Sequence, residues 1–242
     1  MEEGDTRKFS TYYSSMVVSS TIGYMVLALF PTIIWLVFFL REDSRPEPAR
    51  LLIKTFLFGA LASIPVLGFQ MFAEKLFEGY VLSFFITAVV LALFEEIFKF
   101  LSAYFAVHKA PEFDEPVDPM IYMIVAGLGF ATIENMFVVA SVVLQYQYSF
   151  ALTAVGSAMV LRFIGATLLH TLASAIIGYF WAKGIVVGKI KKFVFLGIVI
   201  ATIIHGAFNT LVFNFQEINF LVPTLFLIGV SFFVFRDFEK LK

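Results

Sequence analysis

No cysteine occurs anywhere in the chain. Disulfides, thiol nucleophiles and Cys-ligated metals are therefore excluded, while the compartment stays open. Charge is scarce too: Asp, Glu, Lys and Arg make up 14% of the residues, against about a quarter in soluble domains. The 17 basic and 18 acidic residues nearly cancel, and a net charge of -1 leaves no bulk electrostatic case for nucleic acid as a partner. The first apolar run lacks an A-x-A-like cleavage site and is too long for a signal-peptide core, so it reads as a retained span.

What fills the chain instead is lipid-soluble. Hydrophobic residues account for 60% of it, mean hydropathy is +0.92, and there are 32 phenylalanines. The apolar runs exceed the roughly 20 residues needed to cross a bilayer as a helix, and they lack the alternation of outer-membrane strands. The expectation is an all-α, polytopic transmembrane bundle forming one integral membrane domain over residues 1–242, multi-pass in the cell membrane.

Seven spans are expected. After a short polar tail to about Ser14 they run over about Ser15–Leu40, Leu51–Phe77, Tyr80–His108, Pro119–Leu144, Ser157–Ala182, Phe193–Phe213 and Phe220–Phe235. Pro65 is expected to kink the second, and Glu78-Gly79 to turn the chain into the third. Asp118-Pro119 has the composition of an N-cap and first helical residue. Gln145 to Tyr148 reads as an interfacial turn, and Ser149 to Gly156 as a short interfacial piece and a candidate gate. Of the 15 Lys and Arg outside the spans or near their ends, three (Arg7, Lys8, Lys75) fall on one side and twelve on the other, among them Arg41, Arg45, Arg50, Lys54 and Lys109. By the positive-inside rule the N-terminus is expected outside and the C-terminus in the cytoplasm.

Few polar groups lie within the spans, and their depths agree. At 1.5 Å per residue, Glu95, Glu134, His170 and His205 each lie about 20–22 Å from the basic face of a core about 30 Å thick. Four helices thus contribute to one layer, slightly beyond the middle. Ionised groups at that depth are costly unless they face one another, which makes the layer a candidate functional site.

Its chemistry follows from the residue types. Glu95 and Glu96 are adjacent, about 100° apart on the helix, and Lys99 is spaced to neutralise either. One carboxylate is then left to work while the other serves as scaffold. A carboxylate beside imidazoles, with little water, is what a water-activating general base requires. Glu96, Glu134, His170 and His205 also make a candidate shell for Zn, if a metal is bound. Asn209 shares a face with His205 and is placed to orient that imidazole or to donate to a developing oxyanion.

These residues resemble the PrsW family of intramembrane proteases, within a superfamily that includes the type II CAAX prenyl proteases and bacteriocin-processing enzymes. The resemblance rests on Glu95-Glu96-x-x-Lys99, on Asp118 followed by Gly127-Leu-Gly-Phe-Ala-Thr-Ile-Glu134-Asn135, on Arg162 with His170, and on His205-x-x-x-Asn209, and covers about residues 90–213. Glu134, where the prenyl proteases carry a histidine, and the Lys99 spacing resemble the PrsW branch more closely. The resemblance implies a catalytic core at about 80–213 in which Glu95 or Glu96 activates water, Glu134, His170 and His205 complete the site, and Lys99, Asn135, Arg162 and Asn209 support it. It further implies a membrane protein or peptide as substrate, for which a membrane-anchored anti-sigma factor is an example. Metal-assisted and glutamate-only mechanisms both stay open.

Two other classes share the polar layer. A proton-coupled transporter uses such groups as a relay, although no inverted repeat of broken spans is evident. A non-catalytic scaffold would keep them as ion pairs, with Glu95 or Glu96 against Lys99 or Arg162. His108 reads as a plain helix-end residue.

Overall fold

The computed structural model describes residues 3–43, 45–76, 81–145, 151–215 and 220–241. Eight helices account for almost all of these: α1 (Glu3–Leu40), α2 (Ala49–Leu76), α3 (Val81–Val107), α4 (Asp118–Gln145), α5 (Ala151–Ile164), α6 (Ala166–Val187), α7 (Ile190–Phe215) and α8 (Leu221–Leu241). Six segments are long and apolar enough to cross a membrane, with α5 and α6 together forming one. The 27-residue α3, which holds Glu95, Glu96 and Lys99, is long enough to be the seventh. The protein is therefore a multi-pass membrane bundle. Its outward faces carry Phe30, Leu61, Phe195 and Phe232, each more than 60% exposed, which only hydrocarbon solvates without penalty.

Helix α4 is the axis of the bundle. It packs on α1, α2, α3, α5 and α6, and it is buried without a break from Asp118 to Thr132. Between helices in lipid, close packing replaces the hydrophobic effect as the main attraction, so small residues mark the contacts. A Cβ at Gly59 of α2 would overlap the Ala126 carbonyl of α4, and one at Gly178 of α6 would overlap the backbone at Met120. Glycine lets the three backbones touch.

Polar connections tie one end of the bundle together. Arg45 of the α1–α2 connection pairs with Glu115 at 2.8 Å and Arg50 at the start of α2 with Glu112 at 3.2 Å, both reaching the α3–α4 connection. Tyr122 donates a hydrogen bond to Glu47. Burial pushes the Glu47 carboxyl up to about 8, and in its neutral form it donates to Asp118.

Several expectations are revised. The expected polar tail is helical from Glu3. Asp118 begins α4, but its carboxylate accepts the backbone N–H groups of Asp114 and Glu115, both at 2.8 Å, and so closes the preceding connection instead of capping its own helix. Helix α2 runs as one helix with Pro65 inside it, which leaves the expected kink there in place. The long apolar run after residue 150 breaks at Gly165, not near Gly156. Gly156 has open space around it, whereas Gly165 sits against the rings of Phe208 and Phe220. Glu78-Gly79, Tyr146–Tyr148 and the first two residues of the expected gate lie outside the described residues.

Candidate active site

Helix α3 brings two carboxylates and a lysine to the layer, α4 brings Glu134, α6 His170 and α7 His205. All are drawn together. Glu96 is fully buried; its Oε1 accepts from Lys99 Nζ at 2.8 Å and lies 2.7 Å from His205 Nδ1. Glu134 Oε2 accepts from Arg162 at 3.0 Å and lies 2.8 Å from His170 Nε2. Lys99 Nζ reaches across to His170 Nδ1 at 2.8 Å.

The donors assign both imidazoles. Lysine has only N–H groups to offer, so His170 Nδ1 accepts and its Nε2–H donates to Glu134. Glu96 takes the Nδ1–H of His205, which leaves His205 Nε2 turned toward Glu95, 3.6 Å from Oε2. The neutral rings thus direct both lone-pair nitrogens inward, with their outer nitrogens held by carboxylates. The two rings meet edge to face at 5.2 Å.

Glu95 is the member left without a donor. Its Oε2 is buried and has no hydrogen-bond partner among the described residues, lying 3.7 Å from Lys99 Nζ and 3.8 Å from His170 Nδ1. It borders a cavity of about 270 Å³ together with Glu134, Arg162, His170, His205 and Asn209. A second cavity, of about 460 Å³, shares Gln70, Glu95, Arg162, Ala166 and Asn209 with the first and continues along apolar side chains of α3 and α7. The open question of which carboxylate works and which serves as scaffold acquires a geometry: Glu96 faces inward to Lys99 and His205, and Glu95 faces the cavity.

The site also fits a metal. Glu95, His170 and His205 can each offer one ligand atom within 4.8 Å of the others. Tetrahedral zinc places ligands about 3.4 Å apart, close to the 3.6 and 3.8 Å separations of Glu95 Oε2 from the two inward nitrogens. Three carboxylates stand against two basic side chains, Lys99 and Arg162, an acid-rich donor set that suits a cation. Glu96 and Glu134, expected as ligands if a metal is bound, hold the outer nitrogens of the histidines in this structure, an arrangement that fixes tautomer and ring orientation in metal sites.

The supporting residues are found in contact, with one change of role. Arg162 also donates to Asn135 Oδ1, and the Asn135 amide donates to Ala28 O at 3.2 Å and Thr167 Oγ1 at 3.3 Å, which anchors the Arg162–Glu134 pair to α1 and α6. Asn209 makes no hydrogen bond to His205, whose Nδ1 is taken by Glu96; its side chain borders the cavities. Two features had not been expected. Gln70 lines both cavities, and the only signal for it was an amide inside an apolar span. Phe130, inside the Gly127–Glu134 motif, lies under the Lys99 ammonium at 5.0 Å.

Residues 47–235 match the family model for PrsW family intramembrane metalloproteases. Similar proteins named Protease PrsW include those of Geobacillus kaustophilus, 27% identical over 208 residues and 85% of each chain, and Clostridioides difficile, 30% identical over 195 residues and 78% of each chain. That of Bacillus subtilis is 24% identical over 208 residues, 85% of this chain and 88% of the other. No solved structure matches.

Proposed function

The chain belongs to the PrsW family of intramembrane metalloproteases, and we propose that it hydrolyses a peptide bond of a membrane-anchored protein with water activated at Glu95. An intramembrane protease takes its substrate from the bilayer that surrounds it, and the apolar continuation of the Glu95 cavity offers a path for an extended stretch of chain. An anti-sigma-factor-like protein is one substrate of the right topology. The catalytic core spans residues 80–213, with the N-terminus on the outer side and the basic ends of the helices in the cytoplasm.

The observation that carries this reading is Glu95 itself, a carboxylate that lines a cavity deep in the bundle and whose buried Oε2 accepts no hydrogen bond from the described residues. A water held there gives its proton to Glu95 as its oxygen bonds to the scissile carbonyl carbon; the C–N bond then breaks, and the nitrogen takes that proton from Glu95. His205, steadied by Glu96, orients the water through its free Nε2, while His170, held between Glu134 and Lys99, braces the lysine beside Glu95. Asn209 offers its amide N–H groups to the developing oxyanion. Lys99 offsets the charge of Glu96 and keeps it a scaffold.

A zinc ion would be held by His170 Nδ1, His205 Nε2 and Glu95 Oε2. When bound, zinc polarises water and the scissile carbonyl. Glu95 would then serve as anionic ligand, Lys99 would give up His170 Nδ1, and Glu134 would be the remaining carboxylate on the cavity wall able to accept the proton.

Cleavage of a reporter membrane peptide by the purified protein tests the proposal. Glu95→Gln is expected to lower kcat by roughly 10²–10⁴ while thermal stability is kept; unimpaired cleavage by that variant refutes the assignment. Elemental analysis of the same preparation decides the metal: about one zinc per chain, lost in His205→Ala, supports the three-ligand set.

A further inference from the structure

Away from the active site, a cavity of about 420 Å³ opens where the start of α2 meets the end of α3 and the α3–α4 connection. Its lining includes Arg50, Lys54, His108 and Lys109, with Glu112 as the one acid. We infer that this cavity is a binding site for the phosphate headgroup of an anionic glycerophospholipid.

Charge, donor supply and position all agree. Arg50, Lys54 and Lys109 against Glu112 leave two positive charges in excess. Arg50 spends a single contact on Glu112 at 3.2 Å, with its side chain 78% exposed, so most of its guanidinium donors are available. Lys54 donates once, to Ala106 O at 2.7 Å, and keeps two N–H groups. That bond also fixes the ammonium beside the cavity. His108 is held flat against Tyr104 at 4.4 Å and donates from Nδ1 to Tyr104 O, which leaves Nε2 as its second polar atom.

One turn away the surface becomes apolar. Phe105 is 57% exposed and borders the same cavity, and Leu101, four residues earlier on α3, is 36% exposed. Cationic donors at a helix end above exposed hydrocarbon match the two parts of a lipid, headgroup over acyl chain. Basic pockets between spanning helices at the positively charged face recognise anionic headgroups on this principle. Soluble phosphate would satisfy the cations but not the apolar flank.

Native mass spectrometry of the full chain, released from nanodiscs of mixed phosphatidylglycerol and phosphatidylcholine, tests the site. Wild type is expected to retain one phosphatidylglycerol, with a preference over phosphatidylcholine on the order of tenfold. Arg50→Gln combined with Lys109→Gln should reduce that preference below about twofold with unchanged melting temperature, since the exposed Arg50–Glu112 pair contributes little to stability. Lys54→Gln also frees the Ala106 carbonyl, so the double variant that spares Lys54 carries the test. Equal retention of the two lipids, or an undiminished preference in the double variant, overturns the inference. Millimolar inorganic phosphate should leave the lipid adduct in place; full displacement assigns the cavity to free phosphate and rejects the lipid.

Discussion

Replacing Glu134 by glutamine asks whether this carboxylate positions His170 or takes part in the chemistry directly. In the native site both contacts of Oε2 are acceptances, from His170 Nε2 at 2.8 Å and from Arg162 at 3.0 Å. Glutamine keeps one acceptor oxygen and turns an amide NH2 toward whichever donor loses it. If His170 keeps the oxygen, its tautomer survives and Arg162 relies on Asn135; if Arg162 keeps it, His170 faces a donor and loses its orientation. Outer partners of this kind are worth about 10–100-fold in activity or metal affinity, or about 1.4–2.7 kcal/mol. The stability cost of one poorly satisfied donor is of similar size, about 1–3 kcal/mol. The assay is reporter-peptide cleavage across pH, with zinc content and melting temperature measured on the same sample. A 10–100-fold loss of activity with a shifted pH profile is expected, much smaller than the Glu95→Gln effect. Activity within twofold of wild type refutes the orienting role; a loss as deep as that of Glu95→Gln refutes a purely orienting role and puts Glu134 in the proton transfer, as the zinc-bound arrangement would have it.

Glu47→Gln probes the other end of the bundle. Burial raises the Glu47 carboxyl to about 8, so between about 4.5 and 8 the folded state holds a proton that the unfolded chain has released, and stability falls as pH rises through that window. The variant should remove that slope and melt higher than wild type above pH 8, by an amount on the order of 1–2 kcal/mol after screening of a half-buried group; parallel melting curves for the two proteins at all pH values would contradict this. Because the chain contains no cysteine, a single one placed at Lys109 or Lys191 is a unique label: a membrane-impermeant maleimide should reach both from the cytoplasmic side only, and labelling of intact cells at either position reverses the proposed orientation.

Lipid made much of this protein readable in advance. A polar side chain in hydrocarbon is too costly to be placed casually, so Glu95, Glu134, His170 and His205 stood out by depth alone, and all four meet in the structure. What stayed hidden depends on rotation and partner choice. Adjacent glutamates differ by about 100°, and only the packing of α3 against α4, α6 and α7 turns Glu95 to the cavity and Glu96 to Lys99 and His205. The break at Gly165 has no proline or turn cluster around it; the rings of Phe208 and Phe220, distant in sequence, mark it. Asp118 has the residue type of a helix cap but folds its carboxylate back onto Asp114 and Glu115, because the buried start of α4 leaves that connection as the nearest source of unsatisfied N–H groups.

The common depth proposed for Glu95, Glu134, His170 and His205 has an electrical consequence. A layer about 20 Å into a core about 30 Å thick lies roughly a third of the way across from its nearer face. A proton entering from that face to reach the Glu95 cavity crosses about a third of the membrane voltage, which is about 0.8 kcal/mol per 100 mV, or nearly fourfold in occupancy. Proteolysis in vesicles clamped at different potentials should therefore respond to voltage with no dedicated sensor helix, so that an energised and a depolarised membrane present the same enzyme with different effective acidities.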